Sequence, residues 1–139
     1  DVYKRQPVDG AEEILTYLKE KDYCLCAASN GPYDQQINRL KKADMLKYFA
    51  HCFVSEKVGA DKPGKAFFDG CMKELPGVCP EECMMIGDSL TADIAGGHAA
   101  GLKTCWYHPE DAITNEKLRE LEQQADYRVE KLVDLTKKL

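Results

Sequence analysis

The chain has 139 residues, 44% of them hydrophobic and 31% charged, a balance that suits one globular domain and excludes a disordered chain. Its 19 basic and 24 acidic residues give a net charge of -5, with no basic block of the kind a nucleic-acid surface needs. No apolar run approaches the ~20 residues that cross a bilayer, so neither nucleic acid nor a membrane is an expected partner.

Residues 1–6 read Asp-Val-Tyr-Lys-Arg-Gln, which resembles the in-frame translation of a transposon-end adapter used in sequencing libraries, the alternative being a natural polar segment. They are set aside as an adapter scar, with the gene expected to have been cut at Pro7 and the upstream part lost. Ala11, Ile14, Leu15 and Leu18 recur at helical spacing and predict a helix over 10–21, with Asp9 as its cap and Glu12 as the partner three residues on. Tyr23 to Ala28 is a short apolar run without alternation, the pattern of a strand buried on both faces. Pro32 opens a second helix whose inner face carries Ile37 and Leu40, and His51 to Val54 is a second strand. A loop with Gly59, Pro63 and Gly64 leads to an amphipathic helix through Phe68, Cys71, Met72 and Leu75. Pro76, Gly77 and Pro80 form the next turn region, followed by a strand over Cys83 to Ile86 and a helix over Thr91 to Ala100 that Gly101 ends. Thr104 to Tyr107 is a fourth strand, 110–125 a charged surface helix, and Tyr127 to Val129 a short edge strand before a last helix.

Strands separated by helices imply βαβ units, hence an α/β fold with a Rossmann-like, doubly wound parallel sheet. The seven cysteines are odd in number and lack the paired spacing of a zinc site, so they read as buried reduced thiols in a reducing, cytoplasmic setting.

In a parallel sheet the working residues sit just past the C-terminal strand ends, and three polar clusters stand there. Ser29-Asn30-Gly31-Pro32 follows the first strand: a hydroxyl, a glycine that permits close approach and a helix N-terminus can together receive a phosphoryl group, although Ser and Asn are also ordinary helix caps. Lys62-Pro63 places a lysine that could neutralise phosphoryl charge, or simply a surface lysine. Gly87-Asp88-Ser89-Leu90-Thr91-Ala92-Asp93 follows the third strand. There Asp88 could offer oxygen to a hard cation such as Mg²⁺, and Asp93 could orient loop groups or a metal-bound water; the bland alternative is a cap beside a first-turn acid.

Together, in this order, the clusters resemble the haloacid dehalogenase (HAD) superfamily. Its second motif ends a strand in Ser or Thr, as at Ser29. Its third is a lysine often followed by proline, as at Lys62-Pro63. Its fourth is Gly-Asp-x-x-x-x-Asp, as from Gly87-Asp88 to Asp93. The resemblance covers 7–108 and extends through Ala95 to Gly101, where the family packs a small-residue helix against the sheet; it is nearest the pyrimidine 5′-nucleotidase branch. His98 stands where that branch often has asparagine and reads as a helix residue, not a ligand.

The resemblance implies an Mg²⁺-dependent phosphate-monoester hydrolase that works through an aspartyl phosphate on a small phosphorylated metabolite, plausibly a nucleoside 5′-monophosphate. In that scheme Ser29 and Lys62 are catalytic, Ser29, Asn30, Gly31 and Lys62 bind phosphate, Asp88 ligates the metal and Asp93 supports it. The family's first motif, Asp-x-Asp on the central strand, does not occur in this sequence. Residues 7–139 are therefore expected to be the C-terminal part of the core domain, without first strand or cap, and inactive alone. The other readings are a catalytically silent phosphate- or nucleotide-binding domain, or a phosphoglycolate phosphatase, sugar-phosphate mutase or dehalogenase. A dinucleotide-binding module would need a Gly-x-Gly-x-x-Gly that Ser29-Asn30-Gly31-Pro32 does not supply.

Overall fold

The computed structural model describes residues 10–107, 116–137 and 139. The chain forms two compact units, one from the segment up to Lys57 together with Lys131–Leu139, the other from Val58–Glu130.

The first unit begins with helix α1 (Ala11–Glu20), which buries Ala11, Ile14 and Leu18, the apolar face its spacing predicts. Glu12 and Glu13 in its first turn complement the positive end of the helix dipole. Gly10, in the left-handed region, stands at the N-cap with no side-chain cap; Asp9, the expected cap, lies outside the described residues.

Strand β1 spans Cys26–Ser29 and so starts three residues later than the apolar run beginning at Tyr23. The reason is local. The Tyr23 amide still donates to the Leu18 carbonyl at 3.1 Å, so Tyr23 belongs to the helix exit and is 46% exposed. β1 is half-buried along its length, not buried on both faces as expected. It pairs in parallel with β2 (His51–Val54), in a register that sets Ser29 opposite Val54. Between them runs α2 (Tyr33–Lys42), entered through Pro32. After β2 the chain turns directly into a short helix, α3 (Ser55–Val58), where a loop was expected. The last segment coils as a 3₁₀ turn over Leu132–Lys137, burying Leu135, and the Tyr17 hydroxyl donates to the carbonyls of Thr136 and Leu139, each at 3.3 Å.

The second unit starts its core on α4 (Lys65–Lys73), whose buried residues are Phe67, Phe68 and Cys71, with Phe67 fully enclosed. Strands β3 (Met84–Gly87), β4 (Lys103–Tyr107) and β5 (Tyr127–Val129) form a parallel sheet in that order. Between β3 and β4 the expected single helix is two pieces: a wide turn over Leu90–Ala95 with π-type winding, then α5 (Gly96–Ala99). Of the predicted surface helix, α6 (Glu116–Glu122) is described, and residues 108–115 lie outside the described residues. Leu90, Ile94, Trp106 and Ala125 close one core cluster, with Leu121 packed against it. Among the described residues β1 has a ladder only with β2, and β3 only with β4. All seven cysteines are free thiols; Cys71 and Cys105 are buried, whereas Cys24 and Cys79 are exposed, so the expectation of burial holds for some and not for others.

Candidate active site

In the second unit the site is built on the loop after β3. Asp88, the first residue past the strand, is exposed. The Trp106 indole N–H donates to the Asp88 carbonyl at 3.2 Å and anchors the backbone from the adjacent strand. Ser89 then caps the turn: its hydroxyl accepts from the Ala92 amide at 3.0 Å, and its carbonyl accepts from Asp93 and Ile94 at 3.0 and 3.1 Å. The second of these bonds spans five residues, which widens the winding. Such π-type insertions recur where a side chain has to be aimed. Here the aimed side chain is that of Asp93, whose Oδ2 accepts from the Ser89 amide at 3.3 Å and whose Oδ1 accepts from Lys62 Nζ at 2.7 Å.

Lys62 and Asp93 keep only 10% and 8% of their side chains exposed. A buried pair of this kind holds its geometry because either charge left alone there would cost several kcal/mol. Two glycines make room for it. A Cβ at Gly87 would collide with the Asp93 carboxylate, so no other residue fits before Asp88 without moving the acid. A Cβ at Gly96 would meet Pro63 and Phe68 at 2.9 Å, so the small residue lets α5 pack directly on the segment that carries Lys62. Gly97 likewise sits on Met85 and Thr104 of the sheet, the small-residue packing the sequence suggested, and His98 is an exposed residue of α5. Burial pushes the nearby Cys71 thiol up to about 11, with the Lys62 charge pulling weakly the other way.

In the first unit Ser29 ends β1 itself, and its hydroxyl makes no hydrogen bond among the described residues. Asn30 is exposed and Gly31 has a φ of 130°, a backbone shape that favours glycine. The amides expected to face a ligand are otherwise engaged. Gly31 N–H donates to Ser55 Oγ at 2.8 Å, and Tyr33 N–H, the first of α2, donates to Glu56 Oε1 at 2.7 Å. Thus Ser29, Asn30 and Gly31 form one cluster in the first unit, and Lys62, Asp88 and Asp93 another in the second.

Ser55, Glu56 and Trp106 were not singled out in the sequence. A signal for Ser55 existed: it is a polar residue directly past a parallel strand, next to the strand that ends in Ser29. Trp106 offered none, because its bond to Asp88 depends on strand order.

The donor set bears on a divalent cation as follows. Asp88 offers an exposed carboxylate, and both oxygens of Asp93 are already engaged. Among the described residues no group of three potential ligand residues gathers, so they could supply one oxygen ligand and not a full shell.

The family model for haloacid dehalogenase-like hydrolases matches residues 2–101, and the chain belongs to that family. It is 42% identical over 104 residues to the pyrimidine 5′-nucleotidase PynA of Streptococcus pneumoniae, a match covering 75% of this chain and 44% of that protein. It is 31% identical over 132 residues to the ribulose-1,5-bisphosphate 5-phosphatase of Halopiger xanaduensis, covering 93% of this chain and 55% of the relative. The crystal structure of the HAD-hydrolase YfnB from Bacillus subtilis, bound to magnesium, superposes with a TM-score of 0.87 at 34% identity, over 97% of this chain and 57% of that one. The chain spans about half the length of the curated relatives it matches. Among the described residues no helix is long and apolar enough to cross a membrane.

Proposed function

We propose that the protein to which this chain belongs hydrolyses phosphate monoesters of small metabolites, a pyrimidine nucleoside 5′-monophosphate first among them, in the cytoplasm. The observation that carries this reading is the buried Lys62–Asp93 pair set beside Asp88 at the end of β3. A lysine fixed by an acid on one side presents its remaining positive charge in a defined place, as stabilisation of a transferring phosphoryl group demands. Asp93 in this reading orients Lys62 and the Ser89 loop, and Asp88 is the carboxylate that meets Mg²⁺. When bound, the ion would neutralise phosphoryl charge as a Lewis acid. Ser29 donates its hydroxyl to a phosphoryl oxygen, with Asn30 beside it. Gly31 contributes shape, because its N–H is turned to Ser55.

The attacking carboxylate of an aspartyl-phosphate route would come from an Asp-x-Asp segment, which this sequence does not contain. The 139-residue chain alone is therefore expected to release no phosphate from uridine monophosphate or p-nitrophenyl phosphate, and turnover by the purified chain would refute this. In a protein that includes such a segment, Asp88→Asn should lower kcat/KM by at least the roughly 10–100-fold that even outer metal-site residues cost. Pyrimidine monophosphates should be cleaved faster than phosphoserine or phosphoglycolate. Undiminished activity of Asp88→Asn would remove Asp88 from the site, and a flat substrate profile would remove the nucleotidase assignment.

A further inference from the structure

Three consecutive residues after β2 grip the loop that follows β1. Ser55 is buried, with 7% of its surface exposed. Its hydroxyl accepts from the Gly31 amide at 2.8 Å and donates to the Gly31 carbonyl at 3.4 Å, so one side chain fixes both polar groups of a single peptide residue. Glu56 Oε1 accepts from the Tyr33 amide at 2.7 Å, capping α2 from another segment, where no side chain of the helix's own lead-in does so. Lys57 completes the grip, with Nζ 5.1 Å from the centre of the Tyr33 ring. The parallel register explains how this comes about: Ser29 lies opposite Val54, so the residue after Val54 necessarily emerges beside the residues after Ser29.

Such a grip has a consequence for a ligand. Gly31 has no Cβ to restrict it, and a loop of Ser-Asn-Gly left to itself samples many shapes. With both polar groups of Gly31 and the first amide of α2 engaged, that freedom is restricted. The positive end of α2 meets the Glu56 carboxylate, so an incoming phosphoryl group is directed to Ser29 and Asn30 and away from the helix end. We propose that Ser55 and Glu56 are positioning residues that preset the Ser29–Gly31 loop for a phosphoryl group. This rests on the reading of Ser29 as a phosphoryl contact.

The test uses the isotope-labelled 139-residue chain and inorganic phosphate as probe, followed at the backbone amides of Ser29, Asn30 and Gly31 by NMR. In the unmodified chain phosphate should shift Ser29 and Asn30, while Gly31 stays protected from hydrogen exchange. Ser55→Ala should speed Gly31 exchange and weaken phosphate about fivefold or more, the fold-change of roughly one net hydrogen bond. Ser55→Thr should restore both. Faster Gly31 exchange with unchanged phosphate affinity would overturn the proposal by making Ser55 purely structural. Equal exchange in both chains would overturn it by removing the contact. No phosphate response in the unmodified chain would defeat the reading of Ser29 itself, and the proposal with it, and is recognisable because it precedes any substitution. Should Ser55→Ala fail to fold, Glu56→Ala against Glu56→Gln makes the same comparison at Tyr33, since glutamine keeps the accepting oxygen.

Discussion

The two units each fix a cluster of polar residues, and they do it by different means. In the first, the loop after Ser29 is held by hydrogen bonds that the Gly31 and Tyr33 amides donate to Ser55 and Glu56, on elements with little buried surface: β1 is half-buried and α2 has no buried residue. In the second, Lys62 is held by a direct, nearly buried ion pair with Asp93, for whose carboxylate Gly87 leaves room, and Gly96 lets α5 pack on the neighbouring Pro63. The first arrangement relies on hydrogen bonds to the backbone, three of them between 2.7 and 3.4 Å. Breaking the second removes one charge of a nearly buried ion pair. What a serine hydroxyl needs is an unhindered approach; what a lysine needs is a fixed direction for a charge that water would otherwise disperse.

That contrast can be broken at several points. The largest effect is expected from Asp93→Ala, which removes the buried acid paired with the Lys62 ammonium and should cost about 3–5 kcal/mol. Urea denaturation of the variant beside the parent chain measures it, and a loss under 1 kcal/mol would show that the pair is not held as described. Gly87→Ala comes next. The new methyl meets the Asp93 carboxylate, and overpacking of this kind costs about 1–3 kcal/mol. The same denaturation reads it, and a neutral result would mean that the loop after β3 relaxes freely.

A pH effect follows from Cys71. Burial raises its thiol to about 11, against 9.0 for an unhindered one. Below the lower value both folded and unfolded chains carry the neutral thiol, so nothing changes. Between the two the unfolded chain ionises first, so stability falls as pH rises through this window. Cys71→Val should show a shallower decline over the same range, and identical slopes would contradict the burial effect. The smallest effect is expected at the exposed pair Lys65–Asp69, whose ends lie 3.1 Å apart. Asp69→Asn should change stability by no more than about 0.5 kcal/mol, which calibrates how much of the Asp93 effect is due to enclosure.

Much of this was legible in the sequence, where local pattern decides. His51–Val54 and Tyr127–Val129 are strands with the ends the apolar runs suggest, and α1 buries the face its spacing marks. The start of β1 was not legible, because Tyr23 is as apolar as a strand residue while its amide still serves the helix behind it. The wide turn at Leu90–Ala95 was read as ordinary helix, since its winding is set by the demand that Asp93 reach both Ser89 and Lys62. That second partner lies 31 residues away in the chain, and no short-range spacing encodes it. The residue types of the two clusters were therefore readable from strand ends alone. Which side chain touches which was not, and the roles of Ser55 and Glu56 belong to that second kind of information.

The indole of Trp106 brings an optical property to the molecule. It is the only tryptophan in the chain, 6% exposed, and its N–H rests on the carbonyl of Asp88. Emission excited at the red edge of protein absorbance therefore comes from one chromophore at one address. The dipole of that carbonyl lies against the ring nitrogen, where excited-state charge is redistributed, so any movement of the Asp88 peptide changes the colour and yield of the light. The unlabelled protein thus carries its own probe of the loop after β3, and titration with a divalent cation or an added phosphate can be followed in a cuvette without attaching a dye.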